Sequence, residues 1–243
     1  MGHSMTKTGW LPGALAAAGL GYWAAFGQTS QAFGPFPYQA NTTERLVALT
    51  FDDGPNEPYT SRLLDVLEDR RVLATFFAVG RCAERFPSTV RRIVQSGHVL
   101  GNHSYRHQFS RYLTEPGQGR EIERAQQVLN RIAGVVPALY RPPWLCHWPW
   151  VLGGIRSAGL QVVSGRFAHP LELVQPPARM LAARATRLTR PGRILIFHDG
   201  FDARGGRRDQ SVAAIGPLVD KLTGHGYRFV TVDRLLGVPA YQQ

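Results

Sequence analysis

The sequence predicts an α/β protein whose parallel strands close into a barrel. Short apolar runs alternate with stretches of helical periodicity, the pattern of parallel strands joined by crossover helices. About seven such units fit into roughly 200 residues, which suits a closed barrel better than an open sheet. Polar clusters stand at the carboxyl ends of several of the runs, where either architecture places its site. A chain of 243 residues, 44% of them apolar, is long enough for a full core.

The units begin at Leu46-Val47-Ala48-Leu49, a run of buried-strand type that ends in Asp52-Asp53 and the turn-forming Gly54-Pro55. Residues 59–71 place Leu63, Leu64 and Leu67 on one helical face. Residues 74–79 read as a strand, and 87–96 as a helix with proline in its first turn and Gly97 as its stop. The pattern repeats as strand 99–102, helix 119–133, strand 138–140, helix 150–158 and strand 160–164. Helix 178–189, strand 193–197, helix 212–223 and strand 227–232 complete the series.

Upstream lies a different kind of sequence. Met1-Gly2-His3-Ser4-Met5 reads as a remnant of a cloning vector. Lys7 then precedes the uncharged stretch 9–27, rich in alanine and glycine. This apolar leader suits a signal peptide, a membrane anchor or an N-terminal helix lying against the domain. Ser30-Gln31-Ala32 has the form of a cleavage site, and 31–41 reads as a Pro/Gly-rich linker. The expected organisation is therefore residues 1–40 as leader and linker and 41–243 as the folded domain.

The net charge is +11, nearly all from arginine; the lysines are Lys7 and Lys221. No basic helix or aromatic-interleaved groove accompanies it, so nucleic acid is not an expected partner. A basic surface suits anionic envelope polymers or lipid headgroups, and codon usage alone explains an arginine-rich composition equally well. Cys82 and Cys146 lack Cys-x-x-Cys spacing and are expected as free buried thiols.

Two adjacent carboxylates at a strand end repel unless a cation or a proton intervenes. After the strand at 99–102, His103 and His107 are four apart, the spacing at which two imidazoles on one helical turn hold one metal. Asp53 is the natural third ligand, leaving a position open for water and Asp52 free to act as base. Arg141, before Pro142-Pro143, is placed to orient Asp52. His198 ends the apolar strand 193–197 at the same end of the sheet.

These residues carry a resemblance. Thr50-Phe51-Asp52-Asp53-Gly54, His103-Ser104-Tyr105-Arg106-His107, Arg141-Pro142-Pro143-Trp144 and Leu195-Ile196-Phe197-His198 are similar to four of the five ordered motifs of the NodB-homology polysaccharide deacetylases, carbohydrate esterase family four. The resemblance covers residues 46–236. It implies a deformed seven-stranded (β/α) barrel and metal-dependent removal of N-acetyl groups from N-acetylglucosamine-type residues of peptidoglycan, chitin or a related glycan. It implies Asp52 as base, His198 as acid and Arg141 as the residue that orients Asp52. Asp53, His103 and His107 would hold Zn2+, or Co2+, Ni2+ or another divalent ion. Trp144 and Pro143 would form the oxyanion and substrate wall. The expected place is a bacterial cell envelope, extracytoplasmic or membrane-anchored.

Two departures stand out. Trp144-Leu145 replaces the tyrosine and glycine usual in the third motif, making the pocket wall bulkier and more apolar. The fourth motif, an aspartate near a tryptophan that tunes the acid histidine, is missing; Glu172 is the candidate substitute. Two rival readings follow. One is a metal-dependent amide hydrolase acting on a lipid-linked sugar or other small acylated amine. The other is an inactive glycan-binding envelope module.

Overall fold

The computed structural model describes residues 11–243. The expectations for Met1 to Met5, Lys7, Gly9 and Trp10 fall outside the described residues. The chain forms α1 (Leu11–Phe26), β1 (Leu46–Asp52), α2 (Tyr59–Asp69), β2 (Thr75–Ala78), α3 (Gly80–Arg85), α4 (Pro87–Gln95) and β3 (Val99–Asn102). It continues through α5 (Glu115–Ala133), β4 (Leu139–Tyr140), α6 (Pro149–Ser157), β5 (Gln161–Val162), β6 (Arg166–Phe167) and α7 (Ala178–Leu188). It closes with β7 (Arg193–His198), α8 (Asp209–Gly224), β8 (Arg228–Phe229) and α9 (Val232–Leu236).

All strand pairs are parallel, in the order β5-β4-β3-β2-β1-β7-β6, with β8 pairing the start of β1. Strands β1 and β7 join the two ends of the chain, and the barrel stays open between β5 and β6. This is the deformed barrel the sequence implies. The central strands β1, β2, β3 and β7 are buried on both faces, as parallel strands under helices must be. Alternation along β1 sends Val47, Leu49 and Phe51 into the core beneath α2, α5, α7 and α8. Ala48, Thr50 and Asp52 take the other face, toward the barrel interior. In β7, Leu195 and Phe197 face the helices, while Ile194, Ile196 and His198 face inward. The register sets Asp52 directly beside His198.

Short elements differ from the expectation. α3 and α9, of 6 and 5 residues, are too short to show helical periodicity. α5 starts at Glu115, upstream of the expected start at Gly119, and runs through Gly117. A Cβ at Gly117 would lie 2.7 Å from the Arg111 carbonyl oxygen, so close packing there requires the glycine that reads as a breaker. The expected strand 160–164 is shorter, β5 over Gln161–Val162, and the two-residue strand β6 that follows it is not expected.

Residues 31–41, expected as a linker, are bound into the domain together with the turn before them. Ser164 N–H donates to Pro37 O at 2.8 Å, Ala40 N–H to Gly192 O at 2.8 Å, and Ser164 Oγ to Gln28 O at 2.7 Å. Phe36 is fully buried against His147, with ring centroids 4.4 Å apart. The segment lies along the residues between β5 and β6, where the barrel is open. The apolar leader forms α1, which touches the domain through its last turn and is otherwise exposed. Among the described residues no helix is long and apolar enough to cross a membrane. Both cysteines are free and buried.

Candidate active site

The loops after β1, β3, β4, β6 and β7 meet at the carboxyl ends of the strands. They enclose a cleft of about 190 Å³ with an ionisable floor and apolar walls. Among the described residues, eight of the nine non-glycine positions with positive φ lie in these loops, Asp53, Ser104, His107, Trp144 and Asp202 among them. Such conformations are sparsely populated and persist where surrounding contacts fix them. Gly54 and Gly200 let two loops touch: a Cβ at Gly54 would lie 2.0 Å from Asp199 Oδ2, and one at Gly200 would lie 2.2 Å from Asp53 O.

Asp53 turns out of β1 at φ 72° and meets both histidines. Its Oδ1 lies 3.3 Å from His103 Nε2 and 3.1 Å from His107 Nε2. All three residues are buried, and the three ligand atoms lie within 4.8 Å of one another. The histidines do not share a helical turn, as the spacing suggests. Residues 103–107 form an irregular loop with positive φ at Ser104 and His107. Asn102 Oδ1 accepts from Ser104 N–H, Ser104 Oγ from His107 N–H, and buried Glu121 from Arg106 N–H. Side chains thus satisfy backbone groups that a helix would have paired internally.

The outer nitrogens of the imidazoles are also held. His103 Nδ1 lies 2.6 Å from the Arg141 carbonyl oxygen, which accepts its proton and leaves Nε2 as a lone pair. His107 Nδ1 lies 2.5 Å from Asp202 Oδ1. Burial opposes the charged form of His107, but Asp53 and Asp202 outweigh it and push its pKa up to about 10. Burial likewise acts to raise Asp53, yet the two histidines hold it well below the usual carboxylate range. Asp53 Oδ1 is buried without a hydrogen-bond partner. An orphaned carboxylate oxygen facing two imidazole nitrogens fits a divalent cation, and the donor set is that of a hydrolytic centre with an open position.

Asp52 lies beside this cluster. Arg141 donates from Nη1 to Asp52 Oδ1 at 2.7 Å and to Thr50 Oγ1 at 2.6 Å. Its Nη2 donates to Ser164 O and its Nε to Val163 O, and the guanidinium lies over the Phe77 ring at 4.1 Å. This fully buried arginine therefore has few ways to move.

His198 lies beside Asp52 on the neighbouring strand β7. Its Nδ1 lies 2.9 Å from Glu172 Oε2, and its backbone N–H donates to Glu172 Oε1 at 3.0 Å. Ser211 Oγ also donates to Glu172 Oε1 at 2.7 Å, so the buried carboxylate is fixed on both oxygens. Burial lowers the His198 pKa, but Glu172 and, further off, Asp53 and Asp52 raise it to about 9. The ring stacks on Phe167 at 5.9 Å.

Trp144 stands on the wall, its ring 4.4 Å from that of His107 and 5.3 Å from that of Phe109. Pro143, expected beside it, is buried behind the wall, and Pro142 lines the cleft instead. The 3-10 turn over 143–145 points the second proline into the core. Asp202 is a site residue that motif reading missed. Its signal is faint: a carboxylate in a glycine-rich loop, four residues past a strand-end histidine.

A parallel β/α barrel with a buried Asp-His-His cluster, flanked by a carboxylate and an imidazole, defines a class of hydrolases. Comparison with known proteins narrows the class. The family model described as "Polysaccharide deacetylase" matches residues 39–163. A peptidoglycan-N-acetylglucosamine deacetylase of Bacillus cereus is 30% identical over 82% of this chain and 92% of its own length. A chitooligosaccharide deacetylase of Azorhizobium caulinodans is 31% identical over 74% of this chain and 90% of its own length. The crystal structure of a peptidoglycan N-acetylglucosamine deacetylase in complex with an N-oxidanyl-benzamide superposes with a TM-score of 0.79. It is 30% identical and covers 84% of this chain and 94% of that one. The chain belongs to the polysaccharide deacetylase family, hydrolases of the amide bonds of N-acetylated sugars.

Proposed function

We propose that this protein is a metal-dependent N-deacetylase that releases acetate from N-acetylglucosamine-type residues of a glycan such as peptidoglycan or a chitooligosaccharide. The observation that carries the reading is the register of β1 and β7. It sets Asp52 and His198 side by side, flanking the Asp53-His103-His107 cluster.

An amide is a poor electrophile with a poor leaving group. Its hydrolysis needs an activated water, stabilisation of the oxyanion and a proton for the amine. Asp53, His103 and His107 would hold a divalent ion such as zinc, cobalt or nickel, which supplies Lewis-acid activation. Asp52 accepts the proton of the attacking water, and Arg141 keeps its carboxylate aimed into the cleft. His198, protonated at neutral pH through Glu172, gives its proton to the leaving nitrogen. The Trp144 backbone N–H is the oxyanion donor, and the apolar wall excludes water. Glu172 does the work of the missing fourth-motif aspartate, the absence of which motivated the reading as an inactive glycan binder.

Acetate release from N-acetylglucosamine oligomers and peptidoglycan tests the proposal. Release that stops on chelation and in Asp52→Asn supports it. No release from any acetamido sugar by metal-loaded protein contradicts it.

A further inference from the structure

Among the described residues thirteen large hydrophobic side chains are exposed, and every one lies on α1 or around the mouth of the cleft. Phe109 and Leu113 follow β3, Trp144 follows β4, Leu171, Leu173 and Val174 follow β6, and Phe201 follows β7. Trp150 and Met180 lie in the first turns of α6 and α7, at the same end. The outer faces of the helices and the opposite end of the barrel carry none.

α1 is continuous with this rim. Tyr22 stacks on Phe26 at 5.2 Å, Phe26 meets Phe109 at 6.2 Å and Trp148 at 5.7 Å, and Phe109 meets Trp144 on the cleft wall. The helix carries no charged residue on any face. A helix that is apolar all round belongs in an apolar environment, yet Leu15, Leu20 and Tyr22 are each about 70% exposed. Its described part, 16 residues, is about 24 Å long. A continuous apolar surface of this kind marks a docking site.

Its chemistry selects the occupant. Sugars stack on flat aromatic rings, but Leu113, Leu171 and Val174 are branched aliphatics that offer no flat face. They are 56%, 58% and 74% exposed. Aromatic rings mixed with aliphatics and arginine are the composition of a membrane-interface belt. The cleft carboxylates Asp52, Asp53 and Glu172 are buried, and Arg179 of the same rim is exposed, as are Arg204 and Arg207, which are ion-paired with Asp202 and Asp209. With a net charge of +11, that arrangement complements anionic headgroups.

We propose that α1 and the cleft rim form one face that lies on an anionic bilayer, so that the cleft takes acetamido sugars carried on a membrane lipid. The docking stands on the surface alone; the substrate class rests on the deacetylase reading.

The test uses the full chain with vesicles of phosphatidylcholine and phosphatidylglycerol, by co-sedimentation and by quenching of tryptophan fluorescence with brominated lipid. The variants are Leu113→Ser/Leu171→Ser/Val174→Ser on the rim and Leu15→Ser/Leu20→Ser on α1. All five positions are exposed and lie outside the cleft lining. The expected results are binding and quenching for the unaltered chain, and binding weakened about tenfold or more in each variant. The rim variant should keep its acetate release from soluble N-acetylglucosamine oligomers. It should lose about tenfold or more of its release from an N-acetylglucosaminyl lipid held in the same vesicles. No vesicle binding by the unaltered chain overturns the proposal, as does binding that both variants retain. A solution dimer that buries the rim and does not bind vesicles also overturns it. Absence of acetate release from every substrate, with vesicle binding intact, overturns the deacetylase reading and leaves the docking face standing.

Discussion

Arg141 uses every nitrogen of its guanidinium inside the protein, on Asp52, Thr50, Val163 and Ser164. Loss of one partner of a buried ion pair leaves the other charge uncompensated. Arg141→Ala should therefore destabilise the fold by about 3–5 kcal/mol, measured by denaturant titration. Asp52→Asn keeps the shape and removes the base, so kcat should fall by about 10²–10⁴ with little change in KM. Glu172 governs the other proton. His198 acts while protonated, so activity should fall as pH rises through about 9. Glu172→Gln removes the charge that raises this pKa. The alkaline limb of kcat/KM should then move to lower pH, toward the ordinary imidazole value of about 6.5. A limb that stays in place separates Glu172 from the proton donor. Most of these residues are legible in the sequence because each stands at a strand end in a fixed order. Glu172 is less so: it lies 26 residues before His198 in a loop with no strand-end signature. Asp202 is less legible still, since only the fold brings it to His107.

At the scale of elements, the site is made by loops that depart from regular backbone. Helical spacing correctly pairs His103 with His107, but the pairing is achieved by a turn that Asn102, Ser104 and Glu121 hold in shape. Periodicity sees helices and strands of several turns or residues; it does not see a loop whose partners lie elsewhere in the chain. The same limit hides β6 and α3, each too short to carry a period. The loop after β7 makes the clearest element-level prediction. Asp202 lies against His107 Nδ1, and its N–H donates to Asp53 Oδ2, so one residue steadies two ligands. Carboxylates in this position orient a ligating imidazole and raise its basicity. Asp202→Ala should weaken metal binding about 10–100-fold, measured by competition with a chelator, while thermal stability changes little.

For the whole molecule, the parallel order of strands and the end at which the site lies follow from the alternation of runs alone. The opening between β5 and β6 does not, because both strands are too short to carry a period. The segment 31–41 reads as a linker for its prolines and glycines, yet it runs along that opening with Phe36 in the core. Phe36→Ala should cost about 3–5 kcal/mol of stability, where a true linker would tolerate it. The convergence of distant loops on one ion is the central claim. Its most direct measurement is metal bound per chain at equilibrium, by elemental analysis after dialysis against trace zinc, for the unaltered protein and for His107→Ala. We predict close to one ion per folded chain, lost in the variant together with acetate release. A folded chain that binds no divalent ion, or binds it equally well without His107, would contradict the account.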